Sequence, residues 1–152
     1  MKQAKKPSVK TIRKKPDQRK NIETLRKLMV ELPTLCFEFF TAIEPRTGIL
    51  TRIGYARDLR MFFTYLADNH PEFADRKPAE ITLDDLRRVR PVHIEMFLEY
   101  LNLYWDQNDQ ERTNENAGKK RKLCALRTFF RYLLKHQYLE SNPAAVVDTP
   151  PI

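Results

Sequence analysis

Seven lysine and arginine residues, and no acidic residue, lie between Lys119 and Lys135. They surround an apolar stripe at helical spacing, which is formed by Leu123, Leu126, Phe130 and Leu133. A helix that docks through its apolar side and presents only positive charge elsewhere is suited to contact a polyanion. The phosphate backbone of a nucleic acid is such a polyanion, so this segment predicts a nucleic-acid contact.

The charge distribution along the rest of the chain supports that interpretation over a merely solvated helix face. Solvated helices commonly alternate Glu and Lys, because pairs four residues apart are favourable, and this helix has no acid. Residues 1–20 hold nine Lys or Arg against one acid and account for the whole net charge of +8. The remainder is balanced, but its acids are concentrated in 68–115. Such polarisation favours orientation on a charged target.

Length and composition limit the class of protein. The 152 residues contain three glycines and little alternation of Val, Ile and Thr, which argues against an all-β or doubly wound fold. About 130 residues without the polar tail suffice for one domain with a sizeable core. No apolar run approaches ~18 residues, and the N-terminus has no apolar signal region. We therefore expect a cytoplasmic protein without a membrane span.

Residues that often bind metals or catalyse reactions do not form a recognisable set. His70, His93 and His136 are scattered, and no group of His, Cys, Asp and Glu has metal-ligand spacing. Cys36 and Cys124 lie in apolar helical segments, which predicts core or near-core thiols rather than a disulfide or a zinc site. There is no Gly-rich phosphate loop. We expect no catalytic residues, metal, cofactor or small-molecule substrate in this chain.

The apolar periodicity predicts an all-α protein, a compact bundle of four to five principal helices. These helices are predicted over 21–31, 33–43, 51–69, 91–105 and 117–136. Thr82 and Asp85 resemble a capping box that opens a further short helix. Thr51 can cap the helix that it begins, and 106–116 is predicted to be a polar loop.

Two of these helices and a short C-terminal motif resemble known sequences. Thr51, Tyr55, Asp58-Leu59 and Phe62 match the pattern T-x-x-x-Y-x-x-D-L-x-x-F. Residues 122–133, KLCALRTFFRYL, resemble K-L-S-A-L-R-S-F-F-x-Y-L, and Asn142-Pro143-Ala144 is similar to a trailing N-P-A. All three patterns belong to the tyrosine recombinases, the family of phage integrases and Xer-type recombinases. Their order and spacing agree with that family over 33–147.

The resemblance implies a domain organisation and a function. Residues 1–20 lack apolar periodicity and are expected to be a disordered basic tail. The resemblance implies a SAM-like core-binding domain that binds duplex DNA, assigned to 21–147, and the start of a linker at 148–152. The family's catalytic domain would follow that linker and is absent from this chain. This chain alone would therefore not be an enzyme, although its parent would be a site-specific recombinase. None of the six tyrosines is expected to act as the nucleophile, since all lie in helical core patterns.

The resemblance also implies which residues contact DNA. The start of helix 51–69 and the first half of the basic helix would enter adjacent segments of the major groove. The implied contacts are Thr51, Arg52, Lys119, Lys120, Arg121 and Lys122, with Arg57, Arg60, Arg127 and Arg131 in addition. Cys124 stands where the family usually has Ser, and a thiol is a poor hydrogen-bond donor. The implied partners are double-stranded DNA and further copies of the same recombinase on paired DNA sites.

Two other classes of function remain open at this point. The chain is also compatible with a stand-alone DNA-binding regulator, or with a remnant of a recombinase. Alternatively, it is a helical protein-interaction or RNA-binding module in which the basic helix is incidental. A failure to bind duplex DNA at low salt would favour this last class.

Overall fold

A computed structural model describes residues 16–151, with side chains from Gln18 onward. The predicted disordered tail lies outside the described residues over 1–15, as does Ile152. Six α-helices occur in the described part: α1 (Pro16–Val30), α2 (Leu35–Ile43), α3 (Ile49–Asn69), α4 (Leu83–Arg87), α5 (Pro91–Tyr100) and α6 (Asn116–Lys135). Short 3-10 turns follow α2 and α3, and the one strand pair there joins β1 (Tyr104–Trp105) to β2 (Glu111–Arg112). The predicted all-α fold is confirmed.

Helices α3 and α6 form the centre of the bundle. Helix α1 packs along α3, α3 packs against α6, and α5 contacts both α3 and α6. Apolar residues at helical spacing are buried in the core, on α3, on and just after α5, and on α6: Leu59, Phe62, Leu66, Leu98, Leu101, Leu126, Phe130 and Leu133. Edge-to-face aromatic pairs connect the elements, such as Phe39 with Phe129 at 5.2 Å and Phe62 with Phe97 at 5.2 Å between ring centroids. None of the helices between residues 16 and 151 combines the length and apolar character that a bilayer crossing requires.

Three helix starts differ from the prediction by two or more residues, and that of α2 is at Leu35 rather than at 33. Helix α1 begins at Pro16 rather than near Asn21, and proline is favoured in the first helical turn because its missing N–H needs no partner there. Helix α3 begins at Ile49 with Gly48 as the N-cap residue and no side-chain cap. Thr51 therefore lies within the first turn, and the prediction that it caps the helix is wrong. The capping box of α4 is confirmed, because Thr82 Oγ1 accepts from the Asp85 N–H at 3.2 Å.

The segment after α5 turns back instead of continuing as a helix to Trp105. Asp106 organises the reversal, since its Oδ1 accepts from the N–H groups of Asn108 (2.8 Å) and Gln110 (3.0 Å). Its Oδ2 accepts from Arg112 Nε at 2.8 Å. Trp105 consequently lies on a two-residue strand and is 61% exposed, so its predicted place on an apolar helix stripe is wrong. Carboxylate bonds to the local backbone compete with helix continuation at such a position.

The two cysteines have different surroundings. Cys36 is fully buried, as predicted, and burial raises the pKa of its thiol. Cys124 is exposed, so its predicted place in or near the core is wrong. Helical position explains the difference, because the buried neighbours Leu123 and Ala125 flank it on the inward side of α6. Leu134 also follows the apolar stripe in sequence but is 37% exposed, since it lies at the edge of the inward face between buried Leu133 and exposed Lys135.

Candidate nucleic-acid interface

The two helices with family-like patterns share one surface. Tyr55 of α3 and Cys124 of α6 approach each other across the seam, with 3.7 Å between the hydroxyl oxygen and Sγ. Gly54 lies beside the same contact, because a Cβ placed on it would be 3.6 Å from Arg121 Nη1. A groove of about 410 Å³ follows the seam and is lined by Tyr55, Ala117, Lys120, Arg121 and Cys124. We call it the seam groove.

A buried carboxylate links the two helices through Arg121, which lines that groove. Asp58 is 3% exposed, and its Oδ2 accepts a hydrogen bond from Arg121 Nη1 at 3.0 Å. Its Oδ1 is 3.8 Å from Lys122 Nζ, and Lys122 also donates to Asn114 Oδ1 at 2.7 Å. Burial raises the pKa of Asp58 above its ordinary value, against the opposing charges of Arg121 and Lys122. Burial likewise lowers the pKa of Lys122, against the charge of Asp58. The structure therefore holds two buried opposite charges, Asp58 and Lys122, beside the half-exposed guanidinium of Arg121.

Five of the ten predicted contact residues are available to a ligand. Their side chains are exposed or half-buried, and they have no hydrogen bond or ion pair with any other residue that the structure describes. They are Thr51, Arg57, Lys119, Lys120 and Arg131. Lys119 and Lys120 lie in the first turns of α6, and Thr51 lies in the first turn of α3. Arg121 is a sixth candidate, since its side chain stays 55% exposed although it pairs with Asp58.

Four other predicted contact residues have internal partners instead. Arg52 is 8% exposed, and its Nη1 donates to the carbonyls of Glu44 (3.1 Å) and Thr47 (2.6 Å). This arrangement joins α3 to the turn before it. Lys122 is buried as described above, so we leave Arg52 and Lys122 out of the proposed interface. Helical periodicity does not predict that Arg52 and Lys122 are buried and bonded internally. Their side chains are long enough to reach partners beyond the helix face on which they lie.

The remaining two predicted residues hold chain segments in place. Arg127 Nε donates to the Ala144 carbonyl at 3.3 Å, and Arg127 Nη1 donates to Thr149 Oγ1 at 2.8 Å. Its Nη2 also donates to the Val147 carbonyl. Arg127 thereby fastens the segment after the Asn142-Pro143 motif to α6. Arg60 forms an ion pair with Glu31 at 2.8 Å, which joins α3 to the end of α1.

The structure brings together three groups that are scattered in the sequence. One ligand atom from each of His70, Glu72 and His93 lies within 4.8 Å of the others. His93 Nδ1 accepts from the Arg90 N–H at 2.9 Å, and its Nε2 is 3.5 Å from Glu72 Oε2. In the neutral ring, the proton is then on Nε2 and directed at Glu72, which leaves no lone pair free for a metal. The arrangement fits a hydrogen-bonded cap at the start of α5 better than a metal site.

The same arrangement predicts a pH dependence of stability. Burial lowers the pKa of His93 below its ordinary value of 6.5, and the charge of His70 acts in the same direction, against Glu72. As pH falls below about 6.5, the unfolded chain therefore binds a proton more readily than the folded chain. We expect the melting temperature to decrease between pH 7.5 and pH 5.5, a window above the titration range of Glu72.

Calorimetry of two matched variants would check this expectation. His93→Asn keeps an acceptor for the Arg90 N–H but does not titrate, so its melting temperature should decrease less over the window. His136→Asn removes an exposed histidine and should keep the wild-type decrease. Equal decreases in His93→Asn and wild type would contradict the role of His93.

Known proteins resemble this chain at the level of sequence. No family model matches the chain, and no solved structure matches it. The tyrosine recombinase XerC of Syntrophus aciditrophicus is 30% identical over 114 residues, which are 75% of this chain and 33% of that protein. The XerC proteins of Leptospira interrogans and Caldanaerobacter subterraneus are 28% and 26% identical, over 74% of this chain in each case.

The matched region is a limited part of those relatives. This chain spans about a third of the length of the curated XerC proteins that it matches. The aligned part lies in their N-terminal region. By sequence, this chain is similar to the N-terminal region of these tyrosine recombinases.

Proposed function

We propose that this helical region binds duplex DNA as the core-binding part of a site-specific tyrosine recombinase. The observation that carries the proposal is the set of cations without internal partners along the α3–α6 surface. Arg57, Lys119, Lys120 and Arg131 are on these two helices and have no carboxylate partner among the described residues. Pairing such a surface cation with a phosphate releases counterions from the DNA, which makes binding favourable.

The proposal assigns different roles to different residues of the surface. Lys119 and Lys120, in the first turns of α6, contact phosphates. Arg121 projects from the same turn, and Asp58 holds its guanidinium at the seam groove. A guanidinium that is fixed in this way loses less side-chain entropy when it binds DNA. The N–H groups of Arg121 that Asp58 does not use are available to donate to a base edge. Thr51 lies one turn before Tyr55 on the same face of α3.

The whole recombinase is part of the proposal as well. Strand cleavage and joining belong to a parent protein that extends beyond the matched region, and its partners are duplex DNA and copies of itself on paired sites. The region described here would orient that parent on DNA in the cytoplasm. Residues 16–20 of the predicted tail belong to α1. The tail before them, the domain over 21–147 and the linker over 148–152 stay predictions.

A salt titration of DNA binding tests the proposal. The double variant Lys119→Ala/Lys120→Ala should weaken binding of a fluorescent duplex and flatten the slope of log K against log salt by about 2, since each phosphate that a cation neutralises contributes ~0.9 to that slope. Fluorescence anisotropy at several KCl concentrations between about 50 and 200 mM gives both the affinity for the duplex and the slope.

The matched control changes the same net charge elsewhere. Arg26 and Lys27 are adjacent, exposed cations on α1, away from the seam groove. Arg26→Ala/Lys27→Ala should leave the slope close to that of wild type. If both double variants flattened the slope equally, binding would depend only on the net charge of the chain. That result would contradict a specific DNA-binding surface on α3 and α6. Absence of duplex binding by the wild-type chain at low salt would favour the protein-interaction alternative.

A further inference from the structure

A second cationic groove lies at the other end of the α3–α6 seam. It has a volume of about 480 Å³ and lies between the second half of α6 and the turn before α3. Arg46, Arg131, Lys135 and His136 contribute its charged or titratable side chains. No carboxylate is among the described residues that line it. We call it the distal groove.

The cations of the distal groove are free to bind a ligand. Arg46, Arg131 and Lys135 are exposed, and none has a hydrogen bond or ion pair with another described residue. Arg131 and Lys135 are four residues apart on α6 and therefore lie on one face, where like charges repel each other. Nothing in the described part of the chain offsets that repulsion, so an anion that lies between these side chains would relieve it.

The other polar groups in the groove are already bonded. Thr47 Oγ1 donates to the Ile43 carbonyl at 2.7 Å, and Thr128 Oγ1 donates to the Cys124 carbonyl at 2.9 Å. Their hydroxyl hydrogens are therefore engaged, and Arg52 already donates to Thr47 Oγ1. The groove thus presents charged donors, which suits a phosphate rather than a neutral polar ligand.

The distal groove continues the seam groove. Tyr55 lines both of them, so one ligand can run along the seam past this side chain. Lys120 and Lys135 are fifteen residues apart on one helix, which corresponds to about 22 Å at 1.5 Å per residue. That distance is longer than the width of a major groove, roughly 12 Å. A duplex contacted at the first turns of α6 would therefore present its sugar–phosphate backbone, and not base edges, near Lys135.

From this geometry we infer that the distal groove binds one or two backbone phosphates of the same duplex. The inference rests on the proposed DNA-binding function and adds Arg46 and Lys135 to the interface, neither of which is among the contacts that the family resemblance implies. Phosphate contacts position a protein on DNA and carry no base information. Arg46 and Lys135 therefore strengthen binding to every duplex sequence by the same factor.

The double variant Arg46→Ala/Lys135→Ala tests this inference in the full chain. It should flatten the slope of log K against log salt by about 1–2, which corresponds to one or two fewer neutralised phosphates at ~0.9 each. The affinities for several unrelated duplex sequences should fall by a common factor. Both side chains are exposed and unpaired among the described residues, so the melting temperature should stay at the wild-type value.

The outcomes separate this inference from the proposed function. Arg26→Ala/Lys27→Ala is again the control for net charge. Suppose that Arg46→Ala/Lys135→Ala keeps the wild-type slope while Lys119→Ala/Lys120→Ala has a reduced slope. This result overturns the inference that the distal groove binds phosphates and leaves the proposed function intact. A decrease of affinity for only one duplex sequence overturns the phosphate assignment. Absence of duplex binding by the wild-type chain overturns both the proposed function and the inference that rests on it.

Discussion

Replacing Asp58 with Ala is expected to lower the free energy of unfolding by about 3–5 kcal/mol, the usual cost of removing one partner from a buried ion pair. The side chains of Asp58 and Lys122 are 4% and 7% exposed, so the ammonium would remain buried without its countercharge. Only the bond from Lys122 to Asn114 Oδ1 would still satisfy it. Urea denaturation followed by circular dichroism measures this decrease.

Two companion variants identify the cause of the destabilisation. Arg121→Ala removes the other partner of Asp58, whose side chain is 55% exposed. Because water can take the place of a half-exposed guanidinium, this variant should lose less stability than Asp58→Ala. The double variant Asp58→Ala/Lys122→Met removes both buried charges and should recover most of the stability that Asp58→Ala forfeits, since an apolar replacement of a buried pair is often neutral. If Asp58→Ala were as stable as wild type, the carboxylate would have no role in holding α3 and α6 together.

Replacing Phe130 with Ala is the second change with a large expected effect, about 3–5 kcal/mol of the free energy of unfolding. Phe130 is fully buried on the inward face of α6, and its ring lies edge-on to that of Phe129 at 5.3 Å between centroids. The truncation leaves a cavity at the centre of the bundle, where the lining residues no longer have the ring as a van der Waals partner. The same urea titration gives the change.

Leu134 provides the matched control on the same helix. It follows Phe130 by four residues but is 37% exposed, so Leu134→Ala should cost about 1 kcal/mol or less. Similar destabilisation in the two variants would contradict the assignment of the inward face of α6. Since α6 carries most of the proposed DNA contacts, partial unfolding of Phe130→Ala should also reduce duplex binding at temperatures near its melting point.

The helices and their inward faces could be predicted from the sequence because helical periodicity is a local property. Leu126, Phe130 and Leu133 recur at the helical period, so their common face follows from spacing alone. The Thr82–Asp85 capping box could be predicted for the same reason, since its two hydrogen bonds join residues three positions apart. The reversal after Tyr100 could not, because the apolar period continues to Trp105 and the competing Asp106 bonds are formed only in the turn.

The candidate surface was predictable only in part. Spacing placed Lys119 and Lys120 on the outward side of α6, and neither side chain has an internal partner among the described residues. Whether they contact DNA stays a prediction. Arg46 of the distal groove has no helical period, because it precedes α3 in a 3-10 turn. Its proximity to Arg131 depends on how that turn packs against α6.

The sequence by itself determined the all-α class, the extent of α3 and α6 to within a few residues, and the surplus of positive charge on α6. These features depend on residues within a turn or two of each other. The tertiary structure alone decided which cations remain available to a ligand. Arg52, Lys122 and Arg127 have internal partners, and Arg121 pairs with a carboxylate 63 positions away in the chain. Such pairing follows from the packing of one helix against another, which the period of a single helix does not encode.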